Sequence, residues 1–238
     1  MEEKKKERDE EEGGQLSHLS IILDIDGTLI DSFPLSLSSR FPSLTPTYVC
    51  PEAKENVFLR PHAKEFVEFC FRHFGNVAIW TAASEEWAEM VVVKLLGLLP
   101  DRFSFIFTEK RCCTVTRASL ECLEPIRFTV KSLKKVWQST QRRNRGWQKD
   151  LTLILDDTPS TASHNYGNLI PVPTFNILQH NEDDDLLLRL MDYLLYRNDC
   201  FQRTCNVRSF DKRGWFSSTP APVLLEEEEQ QEPAKQSN

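Results

Sequence analysis

Ile21, Ile22 and Leu23 form an uninterrupted apolar run that ends directly in Asp24, Ile25, Asp26 and Gly27, and no other feature narrows the fold as far. A run this short, closed by a turn-forming glycine, reads as a buried strand over Ser20 to Ile25. Carboxylates at the end of a buried strand need partners, because burying a lone charge is costly. The arrangement recurs along the chain. Asn76 to Trp80 reads as a second core strand followed at once by Thr81, and Leu151 to Leu155 as a third followed by Asp156 and Asp157. Between them lie stretches with helical spacing. Pro61 in a first turn leads to Phe66, Phe69, Cys70 and His73, with Gly75 as the stop. Ser84 caps a helix carrying Trp87, Met90, Val91, Val92 and Leu95 on a core-facing stripe that ends at Gly97. Leu186 to Leu195 predicts a last helix. Strands alternating with such helices predict an α/β fold with a mostly parallel, Rossmann-like sheet, helices on both faces and small inserts. Ligands of such sheets bind beyond the carboxyl ends of the strands, so Asp24, Asp26, Thr81, Asp156 and Asp157 are expected in one crevice.

The 238 residues suffice for a single well-buried domain. Residues 1–15 hold little to bury and read as a disordered charged arm, 16–205 as the one ordered domain, and 206–238 as a largely disordered acidic extension. Pro34, Pro42, Pro46 and Pro51 break the segment 32–52 into a loop or irregular insertion. Phe103–Phe107 and Phe128–Val130 are expected as short strands around a cysteine-bearing excursion. The cysteines have no repeated pair spacing, and Cys112–Cys113 lacks the two-residue gap of a zinc site, which favours reduced thiols. The run from Val91 to Leu99 is interrupted by Lys94 and too short to span a bilayer, so no membrane role is expected. A net charge of -7 gives no overall basic field. Lys131, Lys134, Lys135, Arg142, Arg143, Arg145 and Lys149 form a local basic stretch, either a solvated surface or a guide for an acidic ligand. Trp137 and Trp147 alone do not make stacking platforms, so no direct nucleic-acid contact is expected.

Asp24 and Asp26 flank a single residue, and alternation along a strand places both carboxylates on one side. Such a pair repels unless a cation intervenes, and magnesium meets that need while neutralising phosphate oxygens. Phosphoryl transfer requires an in-line nucleophile, compensation of charge on the phosphate, and a proton for the leaving group. Asp24 is chemically adequate as the nucleophile and Asp26 as the acid, then base. Thr81 offers a hydroxyl to phosphate or a helix cap, and Lys131, following a strand, a positive charge. His164 falls in a loop and is not needed for this chemistry.

The segment DIDGTLID resembles the first motif of the haloacid dehalogenase-like superfamily. Together with RPHAKEFVEF, IWTAASEEWAEMVV, VKSLKKV, LILDDTPS and NLIPVPTF, in that order over about 19–195, the chain resembles the FCP/SCP-like, or NLI-interacting-factor-like, branch of C-terminal-domain phosphatases. The resemblance implies Asp24 as nucleophile, Asp26 as general acid and base, Thr81 and Lys131 as phosphate contacts, and Asp156 and Asp157 as magnesium ligands beside Asp24 and the backbone carbonyl of Asp26. It implies a magnesium-dependent phosphatase of phosphoserine and phosphothreonine in proteins, such as the repetitive tail of RNA polymerase II, and a nuclear or cytoplasmic location. Gly27 and Ser132 depart from the branch, which usually has a larger residue after the second aspartate and an aspartate after the lysine. Two other readings stay open: a small-molecule phosphatase of the same superfamily, and a weakly catalytic scaffold that keeps the fold.

Overall fold

The structure, a computed structural model, describes residues 16–117, 126–179 and 184–217; the expected arm at 1–15 and the acidic end of the chain lie outside these residues. The chain enters through β1 (Leu16–Leu23) and leaves it for β2 (Ile30–Pro34), β3 (Tyr48–Cys50) and β4 (Glu55–Leu59). Helix α1 (Ala63–His73) returns it to β5 (Phe74–Trp80). Helix α2 (Glu85–Met90) widens into a π-helical stretch, Val91–Leu96, before the short β6 (Ile106–Phe107). Then come β7 (Cys113–Arg117), β8 (Ile126–Val130), the short helices α3 (Lys134–Trp137) and α4 (Thr140–Arg143), β9 (Thr152–Asp156) and β10 (Leu169–Pro171). Helices α5 (Leu186–Tyr196) and α6 (Asn198–Thr204) follow.

The main sheet is five-stranded in the order β10-β9-β1-β5-β6, and each of its pairings is parallel. Ile21 stands opposite Val77 on one side and Leu153 on the other. Because side chains alternate across a strand, Ile21 and Leu23 join the core under α1 and α5, whereas Ile22 joins a second core with Trp80, Ile154, Leu133, Val136 and Trp147. A sheet covered on both faces explains why its strands read as continuous apolar runs. Cutting back a fully buried side chain such as Phe66 is expected to cost about 3–5 kcal/mol.

Several local expectations need correction. Gly75 is no helix stop: it lies within β5, where a Cβ would come 2.1 Å from the Ser17 carbonyl oxygen, so it permits close approach of neighbouring backbone. Pro61 precedes α1 instead of entering it, and His62 takes the left-handed conformation at the cap. Gly97 does close its helix in that conformation. The segment 32–52 is no mere loop, since β2, β4 and β3 make a three-stranded antiparallel sheet that extends to Leu59. β8 belongs to an antiparallel ribbon with β7 instead of the main sheet. Packing also continues past residue 205: Val207 and Trp215 are buried in the main core, and the Trp215 indole donates to the Pro171 carbonyl at 2.8 Å. No helix among the described residues is long and apolar enough to cross a membrane.

Candidate active site

β1 stops at Leu23, so Asp24 begins the loop that the sheet delivers to its carboxyl edge. The Asp24 N–H donates to the Leu155 carbonyl of β9 at 3.1 Å, which fixes where the side chain starts. The Ile25 carbonyl then accepts from Thr28, Leu29 and Ile30, folding the following residues into a tight turn. Gly27 occupies that turn at φ +72°, and a Cβ there would lie 2.3 Å from Asp157 Oδ2. Glycine suits the positive φ, and a side chain here would have to displace the Asp157 carboxylate.

Lys131 lies between the acidic groups. Its Nζ is 2.6 Å from Asp24 Oδ1 and 2.8 Å from Asp156 Oδ2, and all three side chains are almost sealed from solvent. The lysine is held from behind. Its N–H donates to the Thr161 carbonyl, and buried Asn165 donates to the Lys131 carbonyl while accepting from the Leu133 N–H. Asp156 also accepts from the Thr158 N–H at 2.9 Å.

The electrostatics follow from burial. Desolvation pushes the Asp24 carboxyl up to about 8, against the pull of Lys131 and with a push from Asp156. Burial works against the Lys131 charge too, but Asp24 and Asp156 together outweigh it and lift the ammonium above its ordinary value. Asp157 is raised mainly by burial, with Thr174 and Thr158 easing it. One oxygen from each of Asp24, Asp156 and Asp157 lies within 4.8 Å of the others. Hard carboxylate oxygens, short of compensating charge even beside a lysine, fit a small divalent cation such as magnesium.

The Asp26 carboxylate is outside that group. Because the strand ends before it, the two aspartates are not paired by alternation, and each takes its own partners. Thr81 Oγ1 donates to Asp26 Oδ2 at 3.1 Å, and the Trp87 indole Nε1 donates to Asp26 Oδ1 at 2.8 Å. Fully buried Thr81 follows β5 directly, and its Oγ1 also accepts from the Ala83 N–H. The six predicted residues thus form connected sets: Asp24, Lys131, Asp156 and Asp157 on one side, Asp26 and Thr81 on the other, joined by the chain from Asp24 to Asp26.

Three contributors escaped the sequence reading. Trp87 fits a core stripe by its spacing, yet its indole N–H reaches Asp26. Arg60, the first residue of RPHAKEFVEF, is buried and ties three segments together. It donates to the carbonyls of Thr28 and Pro173 and pairs with Asp184 at 2.9 Å, so it braces the loop that follows Asp26. Asn165 is the third, and a buried asparagine in a polar loop carries no signal by spacing. His164 is exposed. Of the basic stretch, Lys131 is internal, Lys135 donates to the Arg111 and Cys112 carbonyls, and Arg142 lies over the Phe105 and Phe107 rings. Trp147 is fully buried.

Comparison with known proteins gives the same outline. The family model described as NLI interacting factor-like phosphatase matches residues 19–203. The CTD phosphatase-like protein 355R of invertebrate iridescent virus 3 is 27% identical over 175 residues, covering 69% of this chain and 88% of its own. Its counterpart in invertebrate iridescent virus 6 is 26% identical over 183 residues, 74% of this chain and 96% of its own. Among solved structures, Fcp1, an essential RNA polymerase II CTD phosphatase, superposes with a TM-score of 0.53 at 15% identity, covering 87% of this chain and 72% of that one. An arginine-to-alanine variant of the fission yeast RNA polymerase II CTD phosphatase Fcp1, bound to beryllium fluoride, gives 0.50 at 13% identity, with the same coverage of both chains. The structural likeness supports the fold.

Proposed function

This chain belongs to the NLI interacting factor-like phosphatase family, and from that premise we propose that it is a magnesium-dependent protein serine/threonine phosphatase working through an aspartyl phosphate on Asp24. The observation that carries the reading is Lys131 bridging Asp24 and Asp156 within hydrogen-bond distance, beside a third carboxylate on Asp157. Asp24, Asp156 and Asp157, with the Asp26 backbone carbonyl, are the groups that would hold the cation. When bound, magnesium compensates the carboxylate charge and that of the phosphate oxygens.

The remaining work belongs to the side chains. Asp24 is the nucleophile, and Lys131 keeps its carboxylate directed while offsetting charge on the transferring group. Asp26, exposed where Asp24 is buried, supplies the proton to the departing serine or threonine oxygen and later takes one from the attacking water. Thr81 orients Asp26 through its hydroxyl, which is free to turn to the phosphate once Asp26 carries its proton. The small insert sheet β2-β4-β3 is no large cap, which suits a protein substrate. Magnesium-dependent phosphate release from phosphoserine and phosphothreonine peptides, compared with release from small phosphorylated metabolites, tests this reading. Peptide turnover exceeding metabolite turnover is expected, and metabolite preference would overturn the assignment to protein substrates.

A further inference from the structure

We propose that Trp87 is a positioning residue for proton transfer, fixing through its indole N–H which oxygen of Asp26 carries the catalytic proton. The inference rests on the phosphatase reading above. Asp26 is exposed, and an exposed carboxylate without fixed partners turns freely about its last torsion. Here each oxygen has its own donor: Trp87 Nε1 on Oδ1 at 2.8 Å and Thr81 Oγ1 on Oδ2 at 3.1 Å.

The two donors differ in kind. An indole N–H can only donate, whereas a hydroxyl rotates and can donate or accept. A proton on Oδ1 would make that oxygen a poorer acceptor and weaken the bond from the indole, which cannot turn its donor into an acceptor. A proton on Oδ2 leaves the Trp87 bond intact and asks only that the Thr81 hydroxyl turn. Oδ2 is therefore the oxygen that gives the proton to the leaving alcohol as the phosphorus bond to Asp24 forms and the ester P–O bond breaks. In the second step Oδ2 takes a proton from water as the water oxygen bonds to phosphorus and the Asp24–phosphorus bond breaks.

The local fold makes Trp87 suitable for this. Ser84, the cap of α2, accepts the Trp87 backbone N–H at 3.2 Å, and Ala88, the next residue, is fully buried. The half-buried indole packs against the main core, while its N–H reaches Asp26. A tryptophan on an apolar stripe thus has two jobs on its two edges.

The test uses the full chain with magnesium and measures single-turnover phosphoenzyme formation from two substrates: a phosphoserine peptide, whose leaving oxygen needs a proton, and an aryl phosphate with a nitrophenol leaving group, which does not. Trp87→Phe keeps the bulk and removes the donor. It is expected to slow transfer from phosphoserine by about tenfold or more, with KM within about twofold and aryl transfer within about threefold. Trp87→His, which keeps a ring N–H, is expected to restore phosphoserine transfer to within about threefold of wild type. The same substrate ratio read on Trp87→Met serves if the phenylalanine variant does not fold. Equal slowing on both substrates, or no slowing on either, would overturn the positioning role while leaving the phosphatase reading standing. Failure of the wild-type protein to form any phosphoenzyme would instead overturn that reading, and the role of Trp87 with it.

Discussion

The Lys131 ammonium lies 2.6 Å from the Asp24 carboxylate, and both side chains are withdrawn from solvent. Breaking such a pair from one side leaves buried charge uncompensated, which is more damaging than never having built it. Lys131→Met is expected to destabilise the metal-free protein by about 3 kcal/mol or more, because it leaves the Asp156 charge buried and unpaired and takes a hydrogen-bond partner from Asp24. Denaturant unfolding with and without magnesium checks this, with the cation recovering part of the loss. An unchanged midpoint in the variant would contradict the pairing.

Gly27 holds a positive φ directly beside the Asp157 carboxylate. Alanine there meets a positive φ and places its Cβ where Asp157 Oδ2 now sits. Gly27→Ala is expected to lower stability by about 1–2 kcal/mol and weaken apparent magnesium affinity by about tenfold, by displacing one carboxylate of the cluster. Metal titration of the folded variant measures it. Wild-type affinity would show that Asp157 is not needed for the cation.

Burial lifts the Asp24 carboxyl to about 8 in the metal-free protein. The sign follows from proton binding: between an ordinary carboxylate value near 4 and about 8, the folded state holds a proton that the unfolded state has released. That contribution to stability is complete below the lower value and is lost as pH rises through the upper one. Magnesium must displace the same proton, so its thermal stabilisation at fixed concentration is expected to grow from pH 6 to pH 8. Thermal melts across that range decide, and a shift independent of pH would separate Asp24 from the metal.

Chain ends give a fourth test. Removing residues 1–15 and 218–238 is expected to leave turnover nearly intact, since those segments hold little to bury. Ending the chain at 205 removes buried Val207 and Trp215 and is expected to cost about 3 kcal/mol or more. Unfolding curves of the two truncations check the contrast. Equal stability of both would show that residues 206–217 add nothing.

The parts of the fold legible in the sequence are those governed by short-range pattern. The runs before Asp24, Thr81 and Asp156 are strands because both faces of the sheet are covered, and their parallel direction puts the residues at their ends on one edge. What escaped depends on tertiary partners. Phe128–Val130 reads as a strand correctly, but its sequence does not say that β7 pairs with it outside the main sheet. Trp215 lies in a polar segment, and its burial depends on meeting Tyr193 and Pro171. Trp87 fits an apolar stripe so well that its N–H goes unnoticed, and Arg60 looks like an ordinary surface charge until Thr28, Pro173 and Asp184 surround it.

Asp24 takes the phosphoryl group in this mechanism, and rapid-quench trapping tests whether it does. A radiolabelled phosphopeptide is mixed with the protein and magnesium, the reaction is stopped in acid within a turnover, and the label is mapped on peptides under acidic conditions. The account predicts label on Asp24 that is absent from Asp24→Asn, whose turnover falls to background while its fold is kept. Label on another residue, or efficient magnesium-dependent turnover by Asp24→Asn, would contradict it.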